Sequence, residues 1–342
     1  MSDTHLHYHY AWQAAQWQRL LQQQSDGKLP HAIMLTGPSG IGKLQFAQAK
    51  AQQLLCLTPI SGASCGRCKG CELSAAGTHP DLFVLRPEDG SRVIKIDQVR
   101  RLTDFVAKTS QQGGMKLALI EPVESLNINA ANALLKSLEE PSAGTLLLLV
   151  SHVPSQVMAT IRSRCQQVDF ALPDRAAALE WLTPLSAGLA DPEYLLTCAG
   201  GAPVAARALM EGDQLDARQQ LAHALVEIAK QQMSPLDVAA KLSKREPLEV
   251  LASMMQWLQM AIRQNALTID NLEPVVLVLA DVPQVIVFRF WDKLVSVKRQ
   301  LLSMANPNKQ LLLEELLLDW QALTKQGLVS GQTRQQLMNG LV

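Results

Sequence analysis

The stretch that most limits the folds open to this chain is "HAIMLTGPSGIGKLQFAQAKAQQLL", residues 31–55. A short apolar run ends in glycine, a glycine-rich loop follows, and a helical pattern begins at Lys43. Strand, glycine loop and helix in that order make a phosphate-binding loop, in which backbone N–H groups cradle phosphate and the lysine holds the β/γ oxygens. The first half of the chain supplies the sheet that such a loop needs. Apolar runs at "DLFVLRP", "KLALIEP", "TLLLLVS" and "QQVDF" alternate with helical patterns at 97–109, 130–140 and 155–163, and an amphipathic helix over 11–24 precedes them. Buried strands alternating with helices predict an α/β fold with a parallel sheet covered on both faces.

The loop is incomplete. Gly37, Gly40, Gly42 and Lys43 are present, but the Ser or Thr that would bind Mg²⁺ after the lysine is Leu44. An acidic residue at the end of a second strand should complete the metal site, followed by one that orients water. The candidate strand "LALI" ends in Glu121 and then Pro122, which can neither orient water nor accept a proton. The frame of an ATPase is retained, and two parts of its hydrolysis machinery are missing.

A cysteine cluster interrupts the pattern. Four of the six cysteines fall within residues 56–71, as Cys56-x8-Cys65-x2-Cys68-x2-Cys71. Four thiolates on tight turns can close a tetrahedral shell around Zn²⁺, and Gly66 and Gly70 let the chain fold back on the ion. An iron–sulfur run would need a further cysteine at position 75, which is alanine. With four thiolates no coordination position stays open for water, so the site is expected to be structural. Arg67 and Lys69 read as solvated side chains, and Cys165 and Cys198 as ordinary buried thiols. His5, His7 and His9 could hold a metal ion loosely, though a polar terminus is the plainer reading.

Charge narrows the function classes. Lys+Arg and Asp+Glu both number 31, which argues against binding nucleic acid by charge alone. No run approaches the roughly 20 apolar residues of a membrane span. "MSDTHLHYHY" shows no basic stretch followed by an apolar one, so no secretory leader is predicted in it. After "LPDR" (172–175) the pattern turns wholly helical, with short helices to about residue 212 and longer ones beyond. The last, around "LLLEELLLDW", is apolar over most of its surface, which predicts burial or contact with another subunit.

With "HAIMLTGPSGIGK", the four cysteines, "THPDLFVLRP", "NALLKSLEEPS" and "TIRSRC" in order, the chain resembles the delta-prime family of bacterial DNA polymerase III clamp-loader subunits. The specific motifs run from about residue 10 to 211, and "NPNKQLLLEELLLDW" extends the resemblance more weakly. It implies an AAA+ module with an inserted zinc knuckle (1–171), a helical lid (172–212) and an all-helical collar (213–342). It implies a structural zinc at Cys56, Cys65, Cys68 and Cys71, and a non-hydrolysing stator in which ATP or ADP binding at the loop stays open. It further implies that Arg164, in the Ser163-Arg164-Cys165 motif, is offered to ATP bound on an adjacent motor subunit. The family's sensor arginine would fall at Val204, and Arg207 lies one turn further on. The expected partners are the motor subunits and the delta subunit in a hetero-oligomeric ring and, through it, the sliding clamp and primed DNA. The resemblance also implies a setting in chromosomal replication in the cytoplasm, within the polymerase III holoenzyme, a DNA-directed nucleotidyltransferase. Two other readings stay open at this point: a working motor ATPase of the same family, and a zinc-dependent nucleic-acid-binding module.

Overall fold

The computed structural model describes residues 8–112, 114–211, 213–264, 273–280, 282–302 and 308–339. It divides into two compact units, Met1–Ala208 and Leu209–Val342.

In the first unit a 3-10 turn at Ala11–Gln13 leads into α1 (Ala14–Ser25), β1 (Ala32–Thr36), the glycine loop and α2 (Lys43–Leu55). A short α3 (Lys69–Ala75) closes the cysteine segment. There follow β2 (Leu82–Leu85), α4 (Ile96–Val106), β3 (Lys116–Ile120), α5 (Ile128–Glu139), β4 (Thr145–Val150), α6 (Ala159–Arg162) and β5 (Gln166–Asp169). Helices α7 (Arg175–Ser186), α8 (Pro192–Cys198) and α9 (Pro203–Ala208) complete the unit.

The five strands pair in parallel in the order β2-β3-β4-β1-β5, with Ala118 opposite Leu147 and Met34 opposite Leu149. This is the parallel sheet expected from the sequence. Alternate residues face opposite ways along a strand. Ile33, Leu35, Leu117, Leu119, Leu146 and Leu148 pack on Trp17, Leu20 and Phe46 of α1 and α2. Ala32, Met34, Ala118, Ile120, Leu147 and Leu149 pack on Val99, Leu102, Leu134 and Leu138 of α4 and α5. Burial on both faces is why β4 reads as an unbroken run of leucine. Because the strands are parallel, the segments after β1, β3 and β4 leave the sheet at the same end. Gly37, Glu121 and Ser151 therefore stand at that one end.

Two details differ from the sequence expectation. The helix expected over 155–163 is broken into a 3-10 turn at Pro154–Gln156 and the short α6. Between them Val157 is extended (φ −76°, ψ 134°) and buried in the core, a gain that outweighs one more helical turn. His9 belongs to the fold rather than to a loose polar terminus. Its ring stacks on Trp17 with centroids 4.3 Å apart. His5 and His7 lie outside the described residues.

The second unit is built from α10 (Gln214–Ala229), α11 (Pro235–Leu242), α12 (Pro247–Gln264), α13 (Pro274–Leu277), α14 (Gln284–Leu302) and α15 (Lys309–Asn339). Prolines open α11, α12 and α13, where a missing N–H costs nothing. Leu225, Ile228, Met254, Trp257, Leu294, Leu316 and Trp320 lie in one core. The Arg218 guanidinium is buried there, paired with Glu273 at 2.9 Å and placed over the Trp257 ring. Of the leucines in α15, Leu313, Leu316, Leu317 and Leu323 are buried, while Leu311 and Leu318 face solvent, as do Val285 and Phe288 of α14. Among the described residues no helix is long and apolar enough to cross a membrane.

Candidate functional site

The glycine loop joins β1 to α2, as the sequence predicts, and Lys43 is the first residue of that helix. Its ammonium is turned back on the loop. Nζ donates to the carbonyls of Gly37 (2.7 Å) and Pro38 (2.5 Å). Burial lowers the Lys43 pKa to about 8, against the opposing pull of Glu124 and Glu121. Leu44 supplies no oxygen, and its side chain packs against the core cluster around Phe46.

The loop is covered by parts of the chain that the motif did not reveal. Gly40 has φ +76°, and its carbonyl accepts from the backbone N–H groups of Val204 (2.9 Å) and Ala205 (3.1 Å) at the start of α9. A Cβ at this glycine would lie 2.4 Å from the Ala205 Cβ, so only a residue without a side chain lets α9 approach so closely. Val204, at the position expected of a sensor arginine, thus gives the loop a backbone contact. On the other side the Tyr10 ring lies against Gly42, and the Ile41 carbonyl accepts from Trp12 Nε1 (3.1 Å) and Gln13 Nε2 (3.0 Å). Tyr10 and Trp12 stack at 4.6 Å and both meet the edge of Trp181 on α7. Burial raises the Tyr10 pKa, and the nearby charge of Arg207 opposes the rise.

The acidic groups at the sheet end are also engaged. Glu121 pairs with Arg86 (3.1 Å) and lies 3.7 Å from His152 Nε2. Glu124 Oε1 accepts from the N–H groups of His152 (2.8 Å) and Val153 (3.1 Å). Pro122 follows Glu121 into a 3-10 turn.

The four clustered cysteines come together. Cys56 caps the C-terminus of α2, Cys68 caps the N-terminus of α3, and Cys71 lies in its first turn. All four Sγ atoms lie within 4.8 Å of one another. The Sγ–Sγ distances are 3.5 Å for Cys68–Cys71, 3.8 Å for Cys56–Cys68 and 3.9 Å for Cys65–Cys71. A tetrahedral ion about 2.3 Å from each sulfur sets those edges at about 3.8 Å. The donor set therefore fits a metal ion of that kind. A Cβ on Gly70 would lie 2.3 Å from the Leu55 carbonyl oxygen, so α3 can reach the end of α2 only with glycine there. N–H and O–H groups already point at the sulfurs: Cys65 N donates to Cys56 Sγ (3.3 Å) and Thr58 Oγ1 to Cys65 Sγ (3.3 Å). The Thr58 hydroxyl and the Arg67 N–H lower Cys65 to about 5. Burial, reinforced by the neighbouring sulfurs, pushes Cys71 up. Four sulfurs this close cannot all ionise without a cation among them. Lys69 is exposed and pairs with Glu72, while Cys165 is a buried thiol whose pKa burial raises to about 12.

Arg164 lies in the turn between α6 and the edge strand β5. Its side chain is 36% exposed; Nη2 pairs with Glu139 Oε1 at 2.5 Å, and Nη1 donates to the Thr160 carbonyl at 3.0 Å. The second contact is the helix-end role that any arginine could fill.

Residues 12–174 match the family described as DNA polymerase III, delta subunit, and residues 212–322 match its C-terminal family. The DNA polymerase III subunit delta' of Pseudomonas aeruginosa is 41% identical over 331 residues, covering 93% of this chain and 99% of that protein. The subunit delta' of Yersinia pestis is 34% identical, covering 94% and 98%. A solved gamma subunit-related protein of Thermotoga maritima superposes with a TM-score of 0.48 at 19% identity, covering 90% of this chain and 99% of that one.

Proposed function

Since this chain belongs to the delta-prime family of DNA polymerase III clamp-loader subunits, we propose that it serves the loader as a stator that does not hydrolyse ATP and lends Arg164 to the ATP site of an adjacent motor subunit. The observation that carries this reading is that the phosphate loop is satisfied from within. The lysine that would hold phosphate is bound to the Gly37 and Pro38 carbonyls, and the Gly40 carbonyl is tied to α9. Leu44 brings no metal ligand, and Glu121 is already paired with Arg86. Nucleotide would have to displace these contacts before it could bind, and it would find no group to orient water.

In this reading residues 1–171 form the AAA+ domain, 172–212 the lid and 213–342 the collar. The exposed apolar side chains of α14 and α15 suit contact with the motor and delta subunits of the ring. A zinc ion held by Cys56, Cys65, Cys68 and Cys71 would lock α3 to the end of α2, supplying cohesion and no chemistry. Arg164 stands at the sheet edge with its side chain partly open to solvent, where a neighbour's γ-phosphate could meet it. A guanidinium there would stabilise charge that builds in phosphoryl transfer.

The test is steady-state ATP turnover, measured on the isolated chain and after reconstitution with motor and delta subunits, clamp and primed DNA. The isolated chain should show none. Arg164→Ala should assemble normally and slow the complex, while Arg162→Ala should not. Turnover by the isolated chain that vanishes with Lys43→Ala would overturn the proposal.

A further inference from the structure

Glu139 is the last residue of α5, and the helix cannot continue past it: Glu140 leaves the helical region (φ −123°, ψ 71°) and Pro141 follows. A carboxylate at this end meets the negative pole of the helix, so local electrostatics oppose an acid there. Lys136 lies in the same last turn, and the cation paired with Glu139 itself is Arg164. One oxygen of Glu139 holds Nη2 and the Thr160 carbonyl holds Nη1, so each terminal nitrogen has its own anchor. A guanidinium has five N–H donors in a fixed plane. These two anchors leave Nε–H and one N–H on each terminal nitrogen for another acceptor.

The side chains of Glu139 and Arg164 are 47% and 36% exposed, so as a stability contact the pair is weak. Orientation is another matter. A long side chain at a surface turn samples many rotamers, and a bidentate grip on phosphate needs one of them.

We propose that Glu139 is a positioning residue for Arg164: it touches no substrate but fixes the guanidinium so that its remaining N–H groups can be offered to a triphosphate on the adjacent subunit. This rests on the reading that Arg164 acts in trans, and the experiment separates the two. The full complex is reconstituted with the parent chain, Glu139→Ala, Glu139→Gln, Arg164→Ala and the Glu139→Ala/Arg164→Ala double variant. Clamp- and DNA-dependent ATP turnover is resolved into kcat and KM.

Freeing the side chain should slow the one site it serves by roughly 3- to 10-fold, so Glu139→Ala should remove roughly two-thirds to nine-tenths of the turnover that Arg164→Ala removes. KM for ATP should not change, and Glu139→Gln, which keeps an acceptor, should lose less. The double variant should be no slower than Arg164→Ala, because Glu139 acts only through the arginine. Losses that add in the double variant, or turnover that is unchanged or raised in Glu139→Ala while Arg164→Ala is slow, would overturn the positioning role alone. Unchanged turnover in Arg164→Ala would overturn the in-trans reading and this inference with it.

Discussion

Replacing Gly40 by alanine tests whether α9 closes the phosphate loop. The backbone there has φ +76°, and an added Cβ would stand 2.4 Å from the Ala205 Cβ and 3.1 Å from its backbone nitrogen. Holding an alanine in the left-handed region costs about 1 kcal/mol. The clash is with backbone and a β-carbon, so it cannot be relieved by a rotamer change, and α9 must withdraw. The Gly40 carbonyl then loses its two N–H donors, Val204 and Ala205, each worth about 1 kcal/mol net. The conformational cost stays whether or not α9 is docked, so the two lost bonds, about 2 kcal/mol together, set the effect, and the tie between loop and α9 should open roughly 30-fold more often. Amide hydrogen exchange reads this directly at Val204 and Ala205. The control is Gly77→Ala: Gly77 has φ +70° with nothing within 4 Å of its Cβ position, so it carries the conformational cost without the collision. If Gly40→Ala speeds exchange at Val204 and Ala205 no more than Gly77→Ala does, α9 is not held by this contact and the reasoning fails.

Two other outcomes follow from the same geometry. Protein purified without chelator should contain about one zinc per chain, and Cys68→Ser should abolish it, as read by metal analysis, while exchange protection in the core around Trp257 stays intact. Lys50 is fully buried between Gln24 and Gln53, and burial lowers its pKa to about 8. A cation whose folded pKa lies below its unfolded value penalises the fold fully below pH 8. The penalty lifts as pH rises to 10.5, the unfolded value. In urea titrations the stability of the parent relative to Lys50→Met should therefore improve across that window, by at most about 3 kcal/mol.

What the sequence disclosed and what it withheld have physical reasons. Strands buried on both faces leave uniform apolar runs, so β1, β3 and β4 could be read directly, and the cysteine cluster could be read because its four members are close in the chain and its x2 spacings are a local signal. The cover over the loop could not be read. Tyr10 and Trp12 meet Trp181 across most of the first unit, and no local pattern encodes a contact between residues so far apart in the chain. Glycine at position 40 fitted the phosphate-loop motif, and its second duty towards Ala205 left no separate mark. Helix α3 was not anticipated, because it lies inside the cysteine segment, where cysteines and glycines leave no apolar period over its two turns. The Glu139–Arg164 pair had one visible sign, two acidic residues at a helix C-terminus, where cations are the rule.

Helix α2 begins at Lys43 in the phosphate loop and is capped at its other end by Cys56, one of the four clustered thiols. Both ends are therefore pinned. Inserting or deleting one residue between them would swing Cys56 about 100° around the helix axis and shift it about 1.5 Å along it. The thiol would then leave its three partners, or the lysine would leave the loop. Side chains along α2 can be exchanged wherever packing allows, but its length has become a ruler. Homologues that keep both the loop and the cysteine cluster should count the same thirteen residues from Lys43 to Leu55, and those that lose the cluster are free to lengthen or shorten the helix.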